Sequence, residues 1–265
     1  KKILKKVDAI IHLAASVGVG QSMYKIEHYC SNSVLGTAIL LEEVLNVREN
    51  IRKLIVASSM SVYGEGSYND KLGNIVYPFA RNTNQLKDKR WEIYSNGYEL
   101  KPIPVEETKP LSPDSIYAIN KRDQEEMCLT FGKAYNIPAV AFRMFNVFGA
   151  RQALSNPYTG VIAIFCNKLM NNESPIIFED GNQLRDFIHV DDVSRAYVMA
   201  LESSNLDGLS VNLGSGQKIT IKKIAESLTK ILNKDFNPVI EGKYRAGDIR
   251  HCFADINLIK EKLGW

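Results

Sequence analysis

The chain has 265 residues, 45% hydrophobic and 24% charged, with 33 Lys and Arg against 30 Asp and Glu for a formal net charge of +3. This is the profile of a globular chain long enough for a large core, and with no basic block interleaved with aromatics it predicts no nucleic-acid partner. No apolar run reaches about 18 residues, which predicts no membrane span, and four scattered cysteines (Cys30, Cys128, Cys166, Cys252) without a C-x-x-C pair fit reduced thiols of a cytoplasmic protein better than a disulfide framework or zinc site.

Lys1-Lys-Ile-Leu-Lys-Lys6 carries no initiator Met and no signal-peptide layout, so the expectation is a chain cut at that end. Val7 to Ala15 is a continuous apolar run of the kind that fills a buried parallel strand, and small, Gly-rich Ser16 to Gln21 is a loop after it. Tyr24 to Asn46 reads as a helix with Leu35, Ile39, Leu40, Val44 and Leu45 on one face. Lys53 to Ser59 is a second buried strand. Strand, helix and strand in steps of about 30 residues indicate a parallel sheet covered by helices.

Gly66 to Lys101 breaks the rhythm and reads as a long insertion, semi-ordered and lying over the mouth of the site. Pro102 to Pro113 leads into a helix carrying Tyr117 and Lys121 and running to about Tyr135. Ala139 to Asn146 is the next strand, Gly149 to Pro157 a loop and Val161 to Met170 an amphipathic helix. Short strands follow at Ile176 to Phe178 and Asp186 to His189. A helix at Val193 to Glu202, a strand at Leu209 to Leu213 and a helix at Ile221 to Leu232 come next, and Leu258 to Trp265 begins one more helix.

The chemistry gathers at strand ends, where ligands of open parallel sheets bind. On a helix, Tyr117 and Lys121 share one face a turn apart, and an ammonium beside a phenol favours the phenolate. Alone, Tyr-x-x-x-Lys is more often an ordinary surface pair. The alanines of His12-Leu-Ala-Ala15 can admit a flat cofactor or simply pack. The serines of Ala57-Ser-Ser-Met-Ser-Val-Tyr-Gly64 can hold a substrate oxygen or satisfy a turn. Asn146 can bind phosphate or sugar, or cap a turn. The order of Ser59, then Tyr117-x-x-x-Lys121, then Arg143-x-Phe145-Asn146 is the specific signal.

With those residues in place, the chain resembles the extended short-chain dehydrogenases/reductases of the nucleotide-sugar epimerase/dehydratase type. Arg185-Asp-Phe-Ile-His-Val-Asp-Asp192, Asn212-Leu-Gly-Ser-Gly216 and Arg245-Ala-Gly-Asp248 extend the match, while Asn120 to Met127 and Arg151 to Gly160 are most similar to the branch that epimerises dTDP-L-rhamnose at C4. The resemblance implies an α/β fold: a doubly wound, parallel Rossmann-type sheet lacking its first strands, with a smaller α/β substrate domain. It places the NAD-binding domain at 1–147 plus about 187–213, and the nucleotide-sugar domain at 148–186 plus 214–265.

The same resemblance implies Tyr117 as base, Lys121 lowering its pKa and holding the nicotinamide ribose, and Ser59 orienting the sugar hydroxyl. Ala14, Ala15, Val17, Ser33, Ala57, Ser58 and Phe145 would line the cofactor, NAD. Ser61, Asn146, Arg185, Arg245 and Asp248 would hold the substrate, Arg because its planar fork pairs two phosphate oxygens at once. A homodimer and a role in cell-surface polysaccharide synthesis are implied in the same way. No metal site is expected.

Departures from the family pattern carry expectations of their own. The Gly-x-x-Gly-x-x-Gly turn that seats pyrophosphate on a helix N-terminus is missing from this sequence, and about two βα units would precede Lys1 by analogy. Ser33 stands where the family usually has Asn. Met60 and Ser61 stand where dehydratases have Asp-Glu, which favours an epimerase or reductase. The implied reaction is epimerisation through a transient 4-keto sugar. The alternatives are a nucleotide-sugar reductase, another UDP- or GDP-sugar epimerase, or an inactive sugar-nucleotide-binding fragment.

Overall fold

The computed structural model describes residues 2–153, 160–245 and 247–265, so the expected loop at 149–157 and the 151–160 string fall partly outside the described residues. A four-stranded parallel sheet organises the rest: Ala9–His12, Lys53–Ser59, Ala139–Met144 and Ser210–Leu213, in that spatial order. Each strand neighbours the next in sequence, and all pairings are parallel.

Side chains alternate across the sheet as strand geometry requires. Leu54, Val56, Ala139 and Ala141 pack with Leu41, Val44, Cys128 and Phe131 from the helices at Gly36–Leu45 and Ile116–Tyr135. Ile55, Val140, Phe142 and Val211 face the other way, onto Ala196, Tyr197 and Ala200 of the helix Val190–Glu202. Burial on both faces explains why Lys53–Ser59 reads as an unbroken apolar run and is buried throughout.

Ile116–Tyr135 starts where the Ser115 hydroxyl accepts the Ala118 N–H at 3.1 Å, and it ends at Asn136, left-handed at φ 55°. Gly132, one turn before that end, lets the helix meet the following strand: a Cβ there would lie 2.6 Å from both Ala139 Cβ and Ile137 O.

Three elements differ from expectation. The first strand, expected as a buried run over Val7 to Ala15, spans only Ala9–His12 at the edge of the sheet, where one face has no covering helix among the described residues and Ile11 is 40% exposed. The helix expected from Tyr24 begins as Ile26–Cys30 and is interrupted by a π-type turn over Ser31–Leu35 before Gly36–Leu45. The Thr37 hydroxyl donates to Ser33 O at 2.6 Å within that turn, and such a one-residue widening leaves the apolar periodicity nearly intact. The insertion is folded. Ser67–Asn69, Ile75–Val76 and Lys101–Ile103 form an antiparallel sheet over Tyr68, Ile93 and Leu100. Its Arg81 pairs both oxygens of Glu179 at 2.8 and 2.9 Å, and buried Arg250 bonds Glu92, Glu179 and Asp180.

Beyond the sheet, the helices Val161–Met170 and Ile221–Ile231 enclose Phe165, Ile177 and Ala225. The strands Leu184–Arg185, Ile219–Thr220 and His251–Cys252 form a small mixed sheet beside them.

Candidate active site

A cavity of about 800 Å³ opens at the carboxyl ends of the parallel strands. Ser59 ends its strand with a hydroxyl that accepts the Ser61 N–H at 3.2 Å and the Ser61 hydroxyl at 3.0 Å, so the strand tip carries a pair of coupled hydroxyls. Both line the cavity together with Ala57, Ser58, Tyr117 and Lys121. The Tyr117 helix is set against them from two sides. The Ser22 hydroxyl accepts the Tyr117 backbone N–H at 3.0 Å, and the Lys121 ammonium donates to Ala57 O at 2.8 Å.

Burial pushes the Tyr117 phenol above its usual range, a hydrogen bond with Ser59 pulls it back, and the neighbouring Tyr29 raises it. Lys121, 4% exposed, falls from 10.5 to about 8, chiefly because burial penalises its charge. The expectation that Lys121 holds the phenol down therefore takes a different form in this structure. The group acting on Tyr117 from below is Ser59, while the Lys121 Nζ is tethered to the strand. His12 falls to about 4, through burial and then the Lys121 charge. It is enclosed by Thr37 Oγ1 at 2.8 Å and Gln124 Nε2 at 3.2 Å, a neutral cross-brace between the first strand and the Tyr117 helix.

Of the residues expected to contact cofactor, Val17 and Phe145 line the cavity. Ala14, Ala15 and Ser33 do not. The Ala14 carbonyl accepts the Gln124 amide at 3.1 Å, and the buried Ser33 hydroxyl accepts the Ser16 N–H at 3.3 Å from within the π-type turn. Of the residues expected on the substrate side, Asn146, Arg185 and Asp248 reach the cavity wall. The Asn146 Oδ1 is buried without a hydrogen-bond partner. Arg185 donates to the carbonyls of Leu184, Ile249 and Arg250. Asp248 is raised by burial and lowered by Arg245 and Arg185. Arg245 stands off the wall with its guanidinium stacked over Phe178, 4.5 Å from the ring centre.

Sequence reasoning passed over Asp114, Met144, Phe187 and the cavity face of the helix Val190–Glu202, which contributes Val193 and Tyr197. Only Asp114 had a readable signal, a carboxylate three residues before Tyr117. Arg143 belongs elsewhere: its guanidinium is spent on Glu125, at 2.6 to 3.2 Å, beneath the strands.

The wall fits the nicotinamide-ribose end of NAD. The only hydrogen bond of Lys121 among the described residues goes to Ala57 O, and it lies with Tyr117 and Phe145 on one cavity. Bound dinucleotide would meet Lys121 as donor and Phe145 as apolar wall. Among the described residues no cluster of His, Cys, Asp or Glu has metal-binding geometry, and no helix is long and apolar enough to cross a membrane.

Comparison with known proteins places this geometry among relatives. The model of the NAD dependent epimerase/dehydratase family matches residues 1–84 and 91–214. The dTDP-L-rhamnose 4-epimerase of Burkholderia thailandensis is 33% identical over 259 residues, covering 97% of this chain and 70% of that protein. A putative UDP-glucose 4-epimerase of Methanocaldococcus jannaschii is 31% identical, covering 98% and 72%. Among solved structures, UDP-N-acetylglucosamine 4-epimerase from Methanobrevibacter ruminantium in complex with UDP-N-acetylmuramic acid superposes with a TM-score of 0.80 at 32% identity. That match covers 100% of this chain and 72% of the other. A UDP-glucuronic acid 4-epimerase from Bacillus cereus, solved with its sugar nucleotide and NAD, gives 0.79 at 28%, covering 100% and 71%.

Proposed function

The chain belongs to the NAD dependent epimerase/dehydratase family as a nucleotide-sugar 4-epimerase, and we propose that its substrate is dTDP-L-rhamnose, inverted at C4 through a transient 4-keto sugar. The observation that carries the chemistry is the meeting of Ser59, Tyr117 and Lys121 on one cavity wall. The dTDP-L-rhamnose choice is supported by the 33% identical Burkholderia relative.

Bound NAD supplies the acceptor and donor for the C4 hydride. The protein supplies position and proton traffic. In this reading Tyr117 takes the proton of the sugar 4-hydroxyl and later returns it. The base form is the phenolate, which burial opposes and the Ser59 hydrogen bond favours. Ser59 and Ser61 orient the sugar hydroxyl. The unpartnered Asn146 Oδ1, with Arg185 and Asp248, faces the rest of the nucleotide sugar. Ala14, Ala15, Ser33, Ala57 and Ser58 would support the dinucleotide from behind the wall or along it. Arg245 would have to leave Phe178 to reach a diphosphate.

Elimination of water needs an acid–base pair beside the strand-tip hydroxyl, and Met60 and Ser61 occupy that place on the cavity. The family's two-part division, with residues 1–147 and about 187–213 holding dinucleotide and the remainder the sugar nucleotide, is part of the same proposal. So is a homodimer, for which exposed Ile26, Leu35 and Ile39 offer apolar surface. A UDP-sugar is the second reading, favoured by the Methanocaldococcus and Methanobrevibacter relatives.

The test is incubation of the protein with dTDP-L-rhamnose and catalytic NAD, followed by proton NMR of the sugar. The expected result is the 4-epimer with no net reduction of cofactor. Conversion of UDP-glucose but not dTDP-L-rhamnose would reassign the substrate. Stoichiometric NADPH consumption with a 4-keto sugar would make the protein a reductase.

A further inference from the structure

Asp114 lies just ahead of the Ser115 cap of the Tyr117 helix, solvent-accessible and on the cavity wall. Its place is built by glycine. Gly64, at φ 63°, lets the Ser112 to Asp114 segment lie against the strand-tip turn, where a Cβ would sit 2.2 Å from Ser112 O and 2.8 Å from Asp114 Oδ2. The Ser112 N–H donates to Val62 O at 3.0 Å and fixes that approach. On the other side Gly247, at φ 81°, lies in ordinary contact distance, its Cβ position 3.8 Å from Asp114 O.

The Asp114 carboxylate makes no hydrogen bond or ion pair among the described residues. The nearby Lys109 ammonium is committed to Tyr63 O at 2.7 Å. The cavity's own cations, among the described residues, are Lys121 and Arg185, one tethered to Ala57 O and the other to three backbone carbonyls.

A carboxylate on the wall with no hydrogen-bond or ion-pair partner of its own among the described residues is complementary to hydroxyl donors and hostile to a second carboxylate placed against it. We propose that Asp114 is a specificity-determining residue, accepting hydroxyls of a neutral sugar and turning away uronic acids. The proposal rests on the nucleotide-sugar reading of this cavity and narrows its substrate class. A UDP-glucuronic acid 4-epimerase stands among the structural relatives, so the distinction falls within the family.

The experiment is calorimetric binding to the protein of UDP-glucose and UDP-glucuronate, which differ only at C6, and of the matching dTDP pair. Free UDP and dTDP serve as controls, and the set is repeated on Asp114→Asn. The wild type should bind the glucuronate at least about tenfold more weakly than the glucose partner, the scale of one poorly screened like-charge contact. Asp114→Asn should bring the two within about threefold while leaving free nucleotide affinity unchanged. Equal affinities in the wild type would overturn the proposal. So would an unchanged ratio in an Asp114→Asn protein that still binds free nucleotide. Absence of binding by both neutral sugars would instead overturn the nucleotide-sugar reading beneath it.

Discussion

Glu125, on the Tyr117 helix and 2% exposed, joins three strands of the sheet. Its carboxylate accepts the Ser58 hydroxyl at 2.5 Å, the Ser210 hydroxyl at 2.6 Å, and the Arg143 guanidinium at 2.6 to 3.2 Å. Ser58 and Arg143 are direct neighbours in register, so the acid pins the strand next to Ser59 under the cavity. Replacing Glu125 with Ala leaves Arg143, 6% exposed, without its ion-pair partner, holding Tyr63 Oη and Glu107 O, each at 3.0 Å, with only the Glu107 carboxylate, beyond ion-pair distance, as a nearby negative charge. An uncompensated buried charge of this kind costs about 3–5 kcal/mol, a large part of a typical total of about 5–15 kcal/mol. Urea unfolding followed by circular dichroism should show the midpoint falling by roughly 1 M or more. Adding Arg143→Met should restore part of the loss, since the stranded charge goes while the Ser58 and Ser210 hydroxyls still lack their acceptor. A single-variant loss under about 1 kcal/mol, or a double variant no better than the single, would refute the argument.

Three further outcomes follow from the same structure. His12 is about 4 folded against 6.5 unfolded, so the unfolded chain binds more protons between those values and stability falls as pH drops through that window. The drop is about 3 kcal/mol by linkage, and His12→Gln should flatten it in acid titrations of the unfolding midpoint. Lys121, about 8 folded against 10.5 unfolded, works in the same direction at higher pH. Stability should rise between those values by about 3 kcal/mol relative to Lys121→Met, and an identical alkaline profile in the variant would contradict its buried charge. Gly132→Ala gains about 1 kcal/mol of helix propensity but drives a methyl to 2.6 Å from Ala139 Cβ and Ile137 O. A net loss of about 1–3 kcal/mol is expected, and a raised melting temperature would show that the helix can shift away from its strand.

Much of the sheet was readable because burial on both faces writes itself as apolar runs. Lys53–Ser59 and Ile116–Tyr135 appear where their composition and caps placed them. The site residues legible in sequence were those near strand ends and on one helix face, such as Ser59, Tyr117 and Asn146. Where the reading of the insertion and of Arg143 diverged, charge was the reason. Nothing local in Arg81 or Arg250 says that its partners are Glu179 and Glu92, far away in the chain, so a folded insertion looked like a loose one. Arg143 looked like part of the site motif and proved to be the partner of Glu125. Ser33 sits in a π-type turn that leaves almost no periodic trace, and there its hydroxyl is turned to Ser16.

The central claim is transient oxidation at C4 with Tyr117 as the proton acceptor. The measurement that reaches it most directly is conversion of dTDP-L-rhamnose in deuterium oxide with catalytic NAD, followed by NMR of the C4 position, beside a Tyr117→Phe variant of unchanged fold. Hydride that leaves and returns to the same carbon predicts a 4-epimer with protium at C4, and a rate lower by about 10²-fold or more in the variant. Deuterium at C4 would mean that the carbon loses a proton to solvent, and with undiminished turnover by Tyr117→Phe it would contradict the account.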